Sequence, residues 1–80
     1  MSTKYAIRRT GADGDYEYFI GFLHLGQQVI SKWSKTNIKF SQYEDAMKIL
    51  FQQIQESWLK SETEQIKRSL KIITLEFPDV

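Results

Sequence analysis

The residues of this chain that could do chemistry are few, and their spacing assembles none of the common sites. His24 is the only histidine among 80 residues and there is no cysteine, which excludes a multi-histidine or thiolate metal centre. It lies between two leucines near a turn, the setting of a structural imidazole. Ser31, Ser34, Ser41, Ser57, Ser61 and Ser69 lack a nucleophile-elbow context such as G-x-S-x-G. Glu62 and Glu64 belong to a charged stretch that a solvated helix surface explains better than a paired-acid site. Asp13 and Asp15 in "GADGD" suggest a cation loop, but calcium needs several more oxygen ligands at set positions, so a hairpin turn is the reading. The glycines at 11, 14, 21 and 26 fall where turns or a strand need them, and no Gly-rich phosphate loop is present. No catalytic, cofactor or metal residue is assigned. The residue inventory points to a protein that is not an enzyme.

What remains is a pattern of rings and cations on strands. "YEYFIGFLHL" (16–25) reads as a strand that is apolar on both faces. "KYAIRRT" (4–10) alternates before it, and Asp13-Gly14 between them is a turn signal. Gly26-Gln27 is a two-residue turn with Gly first, leading into "QVISKW" (28–33) as a third strand. "SKTNIKF" (34–40) is an irregular return with a short extended piece at Ile38 to Phe40.

"SQYE" (41–44) is a capping box. After it Tyr43, Ala46, Met47, Leu50, Ile54 and Trp58 recur at spacings of three and four, with Ile49, Phe51 and Leu59 widening the stripe. This predicts an amphipathic helix of about five turns from Ser41. Ser61 and Glu64 offer a second capping box for a short helix through Arg68, separate or continuous. "LKIITLEF" (70–77) closes the chain as a strand, with Ile73, Leu75 and Phe77 facing one way, and Pro78 stops it. The expected fold is one α+β domain over residues 1–80. A small antiparallel sheet, a three-strand meander plus the C-terminal strand, has one long amphipathic helix on one face.

The turns set the expected pairing: Leu25 opposite Gln28, Leu23 opposite Ile30, Ile20 opposite Trp33. With a first loop of two or four residues, one face carries Tyr5, Ile7, Tyr16, Tyr18, Ile20, Phe22, His24, Val29, Ser31 and Trp33. The other carries Lys4, Ala6, Arg8, Glu17, Phe19, Gly21, Leu23, Leu25, Gln28, Ile30 and Lys32. Charge falls on the second face, so the helix is expected on the first. That leaves Phe19, Leu23, Leu25 and Ile30 uncovered, flanked by Arg8 and Lys32, as the partner-binding surface. An odd-length first loop would reverse the placement of Tyr5 and Ile7.

Composition bounds the partners. Residues 1–40 carry six Lys/Arg against three acids and residues 41–80 five against seven, for a net charge of +1. A dedicated nucleic-acid binder usually shows a heavier basic excess. The leading expectation is therefore a protein–protein interaction module that dimerises or occupies a partner's surface. A single-stranded nucleic-acid binder using the basic sheet half is the alternative, with Trp33 amid Lys32, Lys35 and Lys39, and Phe19 near Arg8. The N-terminus "MSTKYAIRRT" lacks an apolar signal region, and the longest apolar run is far short of a membrane span. With no cysteine to pair, a cytosolic protein without membrane contact is expected.

Taken together, "KYAIRR", "YFIGF", "VISKW", "IKFSQYEDAMKIL" and "LKIITLEF" resemble the small βββαβ open reading frames of phages and other mobile elements. In those a Tyr-x-Ile opening strand, an aromatic hairpin and a Trp precede a Phe-Ser cap and an Ala-bearing helix. The stretch from Phe51 to Ser69 is longer here than that pattern. Some small phage proteins of this kind inhibit host defence machinery, anti-CRISPR proteins among them. The resemblance implies that role as a setting for an interaction module and brings no site residues with it.

Overall fold

A computed structural model describes residues 2–58 and 64–78. Among these residues four strands and two helices follow in the order β1 (Ser2–Thr10), β2 (Tyr16–Leu25), β3 (Gln28–Ser34), α1 (Glu44–Ser57), α2 (Glu64–Ser69) and β4 (Lys71–Phe77). The strands form one antiparallel sheet ordered β3-β2-β1-β4. The chain has an α+β fold, with the helices on one face of the sheet. Gly26 (φ 61°) alone takes positive φ in the β2–β3 turn, as a type II′ hairpin requires, and Leu25 pairs with Gln28 and Leu23 with Ile30.

The long helix starts later than the sequence suggests. Ser41 is held by two backbone hydrogen bonds to Tyr5, its carbonyl accepting from the Tyr5 N–H (2.8 Å) and its own N–H donating to the Tyr5 carbonyl (3.0 Å). Its hydroxyl accepts the Tyr43 N–H, so it closes a turn instead of capping a helix. Tyr43 is the N-cap and makes no side-chain cap bond. Glu44 and Asp45 in the first turn favour the positive end of the helix dipole, and Glu44 pairs with Lys48 one turn on (3.7 Å). The helix has 14 residues, about four turns, where five were expected. Met47 and Ile54 are buried, but Tyr43 and Ile49 are 65% and 61% exposed and lie off the stripe. Leu59 and Ser61 fall outside the described residues. At the end of α2 the Ser69 hydroxyl donates to the Ile66 carbonyl (2.7 Å) and accepts the Thr10 N–H (2.9 Å), tying the helix to β1.

The core is built from Ile7, Phe19, Met47, Ile54 and Leu70, with Tyr5, Phe22, Trp33, Leu50, Phe51, Trp58 and Ile72 packed around it. Phe19 therefore belongs to the helix face, at 1% exposure, and not to the uncovered one. The reason is parity. Thr10 pairs with Tyr16, so the first loop has five residues, an odd number. Odd-numbered residues of β1 and β2 then share a face, which turns Glu17 and Phe19 inward and Tyr16 and Tyr18 outward.

A second shift follows at once. Phe19 pairs with Trp33, but Gly21 pairs with Lys32, leaving Ile20 as an extra residue in β2. This β-bulge restores the alternation, so Phe22 points to the helices and Leu23 away from them. Gly21 sits at φ 149°, a backbone region that residues with a Cβ rarely enter. Trp33 stays on the helix face but opposes Phe19, not Ile20.

The bulge also bends β2 away from β1. Their pairing is confined to Arg8–Thr10 with Tyr16–Tyr18. Beyond it the gap is bridged by residues 39–41: the Lys39 N–H donates to the Phe19 carbonyl (3.3 Å) and Ser41 pairs with Tyr5. From Gly21 onward β2 and β3 form a two-stranded arm.

Two stability predictions follow from the inward ring and the bulge. Phe19→Ala should cost roughly 3–5 kcal/mol in urea unfolding, as for a buried ring, whereas Leu23→Thr should stay within about 0.5 kcal/mol. Equal costs would mean the two faces are reversed. Gly21→Ala should cost on the order of 1–3 kcal/mol from backbone strain alone, since nothing lies within 4 Å of an added Cβ.

Candidate functional site

The residues expected to bind a partner divide into two sets and one exception. Leu23, Leu25 and Ile30 lie on the arm at 42%, 52% and 43% exposure, and Leu23 directly opposes Ile30. Val29, on the other face of the arm beside His24, is 38% exposed as well. Arg8 and Lys32 share the sheet face turned away from the helices. Phe19 is the exception, because it fills the core.

The arm is exposed because little covers it. An isolated two-stranded hairpin is only marginally stable in water, and this one is anchored at its base. There Phe22 and Trp33 set their rings edge-on to Phe19, with centroids 5.0 and 5.8 Å away, and the Trp33 indole N–H donates to the Ser31 hydroxyl (2.8 Å). In a two-residue hairpin the pairs 25/28 and 23/30 exchange hydrogen bonds, so the backbone groups of Val29 and Ser31 point out of the free edge of β3. A groove of about 970 Å³ runs between the arm and the C-terminal end of α1, with Phe22, His24, Val29, Gln53 and Trp58 among its walls.

The open face of the sheet has a charge distribution that the sequence hid. Arg8 opposes both Lys71 on β4 and Tyr18 on β2, and Tyr18 opposes Ser34 on β3. Lys71, Arg8, Tyr18 and Ser34 thus form one row across all four strands. Lys32 stands two positions further up β3, and Lys4 lies four residues along β1. The strands hold two carboxylates, and both face the helices. Glu17 accepts from Arg9 Nε at 2.9 Å while the Arg9 guanidinium stacks on Trp33, 4.2 Å from its centroid. Glu76 accepts from Thr3. None of Lys4, Arg8, Lys32 and Lys71 forms an ion pair among the described residues.

Rings accompany these cations. The Arg8 guanidinium lies 3.9 Å from the centroid of Tyr16, which is 53% exposed. Lys4 Nζ lies 5.4 Å from Phe77, against which Phe40 sets its ring edge-on at 5.3 Å. Sequence reasoning missed Tyr16 and Lys71 as members of this surface. Tyr16 was hidden by the parity of the first loop, and Lys71 by a pairing between strands at opposite ends of the chain.

The acidic loop holds a lysine. Lys35 Nζ donates to Asp13, and lies 3.4 Å from Asp15 Oδ2. Among the described residues no cluster of three His, Cys, Asp or Glu side chains could hold a metal ion. The Lys35 hydrogen bond, and then the Asp15 N–H, holds the Asp13 carboxyl below its ordinary value, and hydrogen bonds to Asp13 and Asp15 raise Lys35. A depressed carboxyl contributes stability above its unfolded-state value and loses it as pH falls through the folded-state value. For Asp13 that window lies below the ordinary 3.8. The group is exposed, so the contribution is small.

The Asp13 side-chain carboxyl resonance should accordingly titrate below the ordinary aspartate value and move back toward it in Lys35→Ala, the Asp15 N–H still holding it down in part. An unshifted midpoint in the parent protein would mean the pair does not form in solution.

No helix among the described residues is long and apolar enough to cross a membrane. No family model, curated protein or solved structure shows significant similarity to this chain.

Proposed function

We propose that this chain is a small non-enzymatic protein-interaction module that works by occupying a partner's surface with the β2–β3 arm, a second copy of the chain being one such partner. The observation that carries the reading is the grouping of Leu23, Leu25, Val29 and Ile30, all more than a third exposed, on a hairpin that extends past the core. Burying such a cluster gains roughly 25 cal/mol per Å² removed from water. The adjoining edge of β3 offers unpaired backbone groups to an added strand. Association costs several kcal/mol in lost freedom, so a patch this small supports weak to moderate affinity. The resemblance to small phage proteins gives the module a setting, inhibition of a host defence complex in the manner of an anti-CRISPR protein.

Replacing Leu23 and Ile30 with Thr keeps β-propensity while removing apolar area. In sedimentation velocity the parent protein should show a concentration-dependent dimer that the double variant lacks, with unchanged far-UV circular dichroism. A folded double variant that associates as the parent does would move the interface away from the arm.

A further inference from the structure

The arm leaves the cations on the open face of the sheet unaccounted for. The strand positions of that face carry Lys4, Arg8, Lys32 and Lys71 with no carboxylate among them, on a chain whose net charge is only +1. Unpaired like charges on one sheet face repel one another, and Lys71 and Arg8 are direct cross-strand neighbours, an arrangement that destabilises a sheet. Opposite charges were available, since the strands contain Glu17 and Glu76, but both face the helices. The rings are as telling. Tyr16 is half exposed beneath the Arg8 guanidinium and Tyr18 sits in the same row as Arg8 and Lys71.

We infer that this open face is a binding site for single-stranded nucleic acid, with phosphates on the Lys4, Arg8, Lys32 and Lys71 side chains and a base stacked at Tyr16. Two features select this ligand class. Lys4, Arg8, Lys71 and Tyr16 lie across the sheet and not on the β2–β3 arm, the two-stranded ribbon that could enter the major groove of a duplex. Exposed rings set among cations are what unpaired bases require, because every base has a π-face to stack. An acidic polypeptide would use the cations but has no need of the ring. Lys4, Arg8, Lys71 and Tyr16 lie off the arm and only Lys32 stands beside Ile30 on the same face, so the site can be tested apart from self-association.

The test is fluorescence anisotropy with a labelled oligo-dT 20-mer, a mixed-sequence RNA 20-mer and a poly-Glu peptide. Four phosphate contacts give a logarithmic salt slope near −2.8, so binding should weaken about 50-fold between 50 and 200 mM salt. Tyr16→Ala should weaken it roughly tenfold, and Arg8→Glu with Lys71→Glu should abolish it. Should that pair disturb folding by circular dichroism, Lys4→Gln with Lys32→Gln should instead lower the salt slope by about half. At concentrations that leave the parent monomeric, the Leu23→Thr, Ile30→Thr protein should bind as the parent does. No binding of either oligonucleotide at 50 mM salt overturns the inference. So does poly-Glu binding as tightly as oligo-dT with no loss in Tyr16→Ala, which would make the face a reader of acidic protein.

Discussion

Phe19 and Phe22 lie three residues apart in one strand and yet set their rings edge to face, 5.0 Å between centroids, on the same side of the sheet. A regular strand, with its period of two, puts such residues on opposite faces. They meet only because β2 carries Ile20 as an extra residue, with Gly21 at a φ of 149°. Most of what distinguishes the molecule depends on that bulge. It lets two aromatic rings of one strand pack with Trp33 on the helix face of the sheet. It also increases the local twist, so that β2 parts from β1 after three paired positions and the sheet must be closed by residues 39–41. The arm projects because the core needed both rings.

The same geometry sorts the charges. With an odd first loop, Glu17 joins Arg9 on the helix face, where the guanidinium bridges the carboxylate and the Trp33 ring. That removes the acid which would otherwise have neutralised Arg8 on the open face. Glu76, opposite Thr3, is turned inward by the β1–β4 register. The polarity of the open face is thus a consequence of two registers and not of composition. For this reason a net charge of +1 gives no hint of it.

How far the sequence could be read follows from the same two shifts. The order of elements was legible because turn glycines, strand alternation and the three–four spacing of the helix are local signals. The face assignments of Leu23, Leu25 and Ile30 hold because they lie beyond the bulge, where the odd loop and the extra residue cancel. Phe19 lies between the two shifts, where only the first applies, and its placement reverses. A signal for the bulge was present: a glycine inside an apolar strand, flanked by large rings at a spacing that a strand cannot reconcile. The capping box at Ser41 shows a different limit. Its residues match the motif, but Tyr5, 36 positions earlier, claims the Ser41 backbone in a bridge. Tertiary pairing overrides a local cap. Lys71 joins Arg8 only through strands from opposite ends of the chain, which no local pattern reveals.

The arm and the open face are also related geometrically. Antiparallel pairing of β3 with the β3 of a second copy would place the two-fold axis perpendicular to the sheet, through the edge where Val29 and Ser31 present their backbone groups. Both open faces would then lie on the same side of a continuous sheet, with Lys32 of each copy near the junction and the Leu23–Ile30 clusters meeting across it. A long single strand could span both faces, and engagement of the second site would be intramolecular, raising the overall affinity without any new contact. A weak edge association and a weak polyanion site would in that arrangement reinforce each other, because ligand bound across the junction favours the dimer by the same free energy with which the dimer favours the ligand.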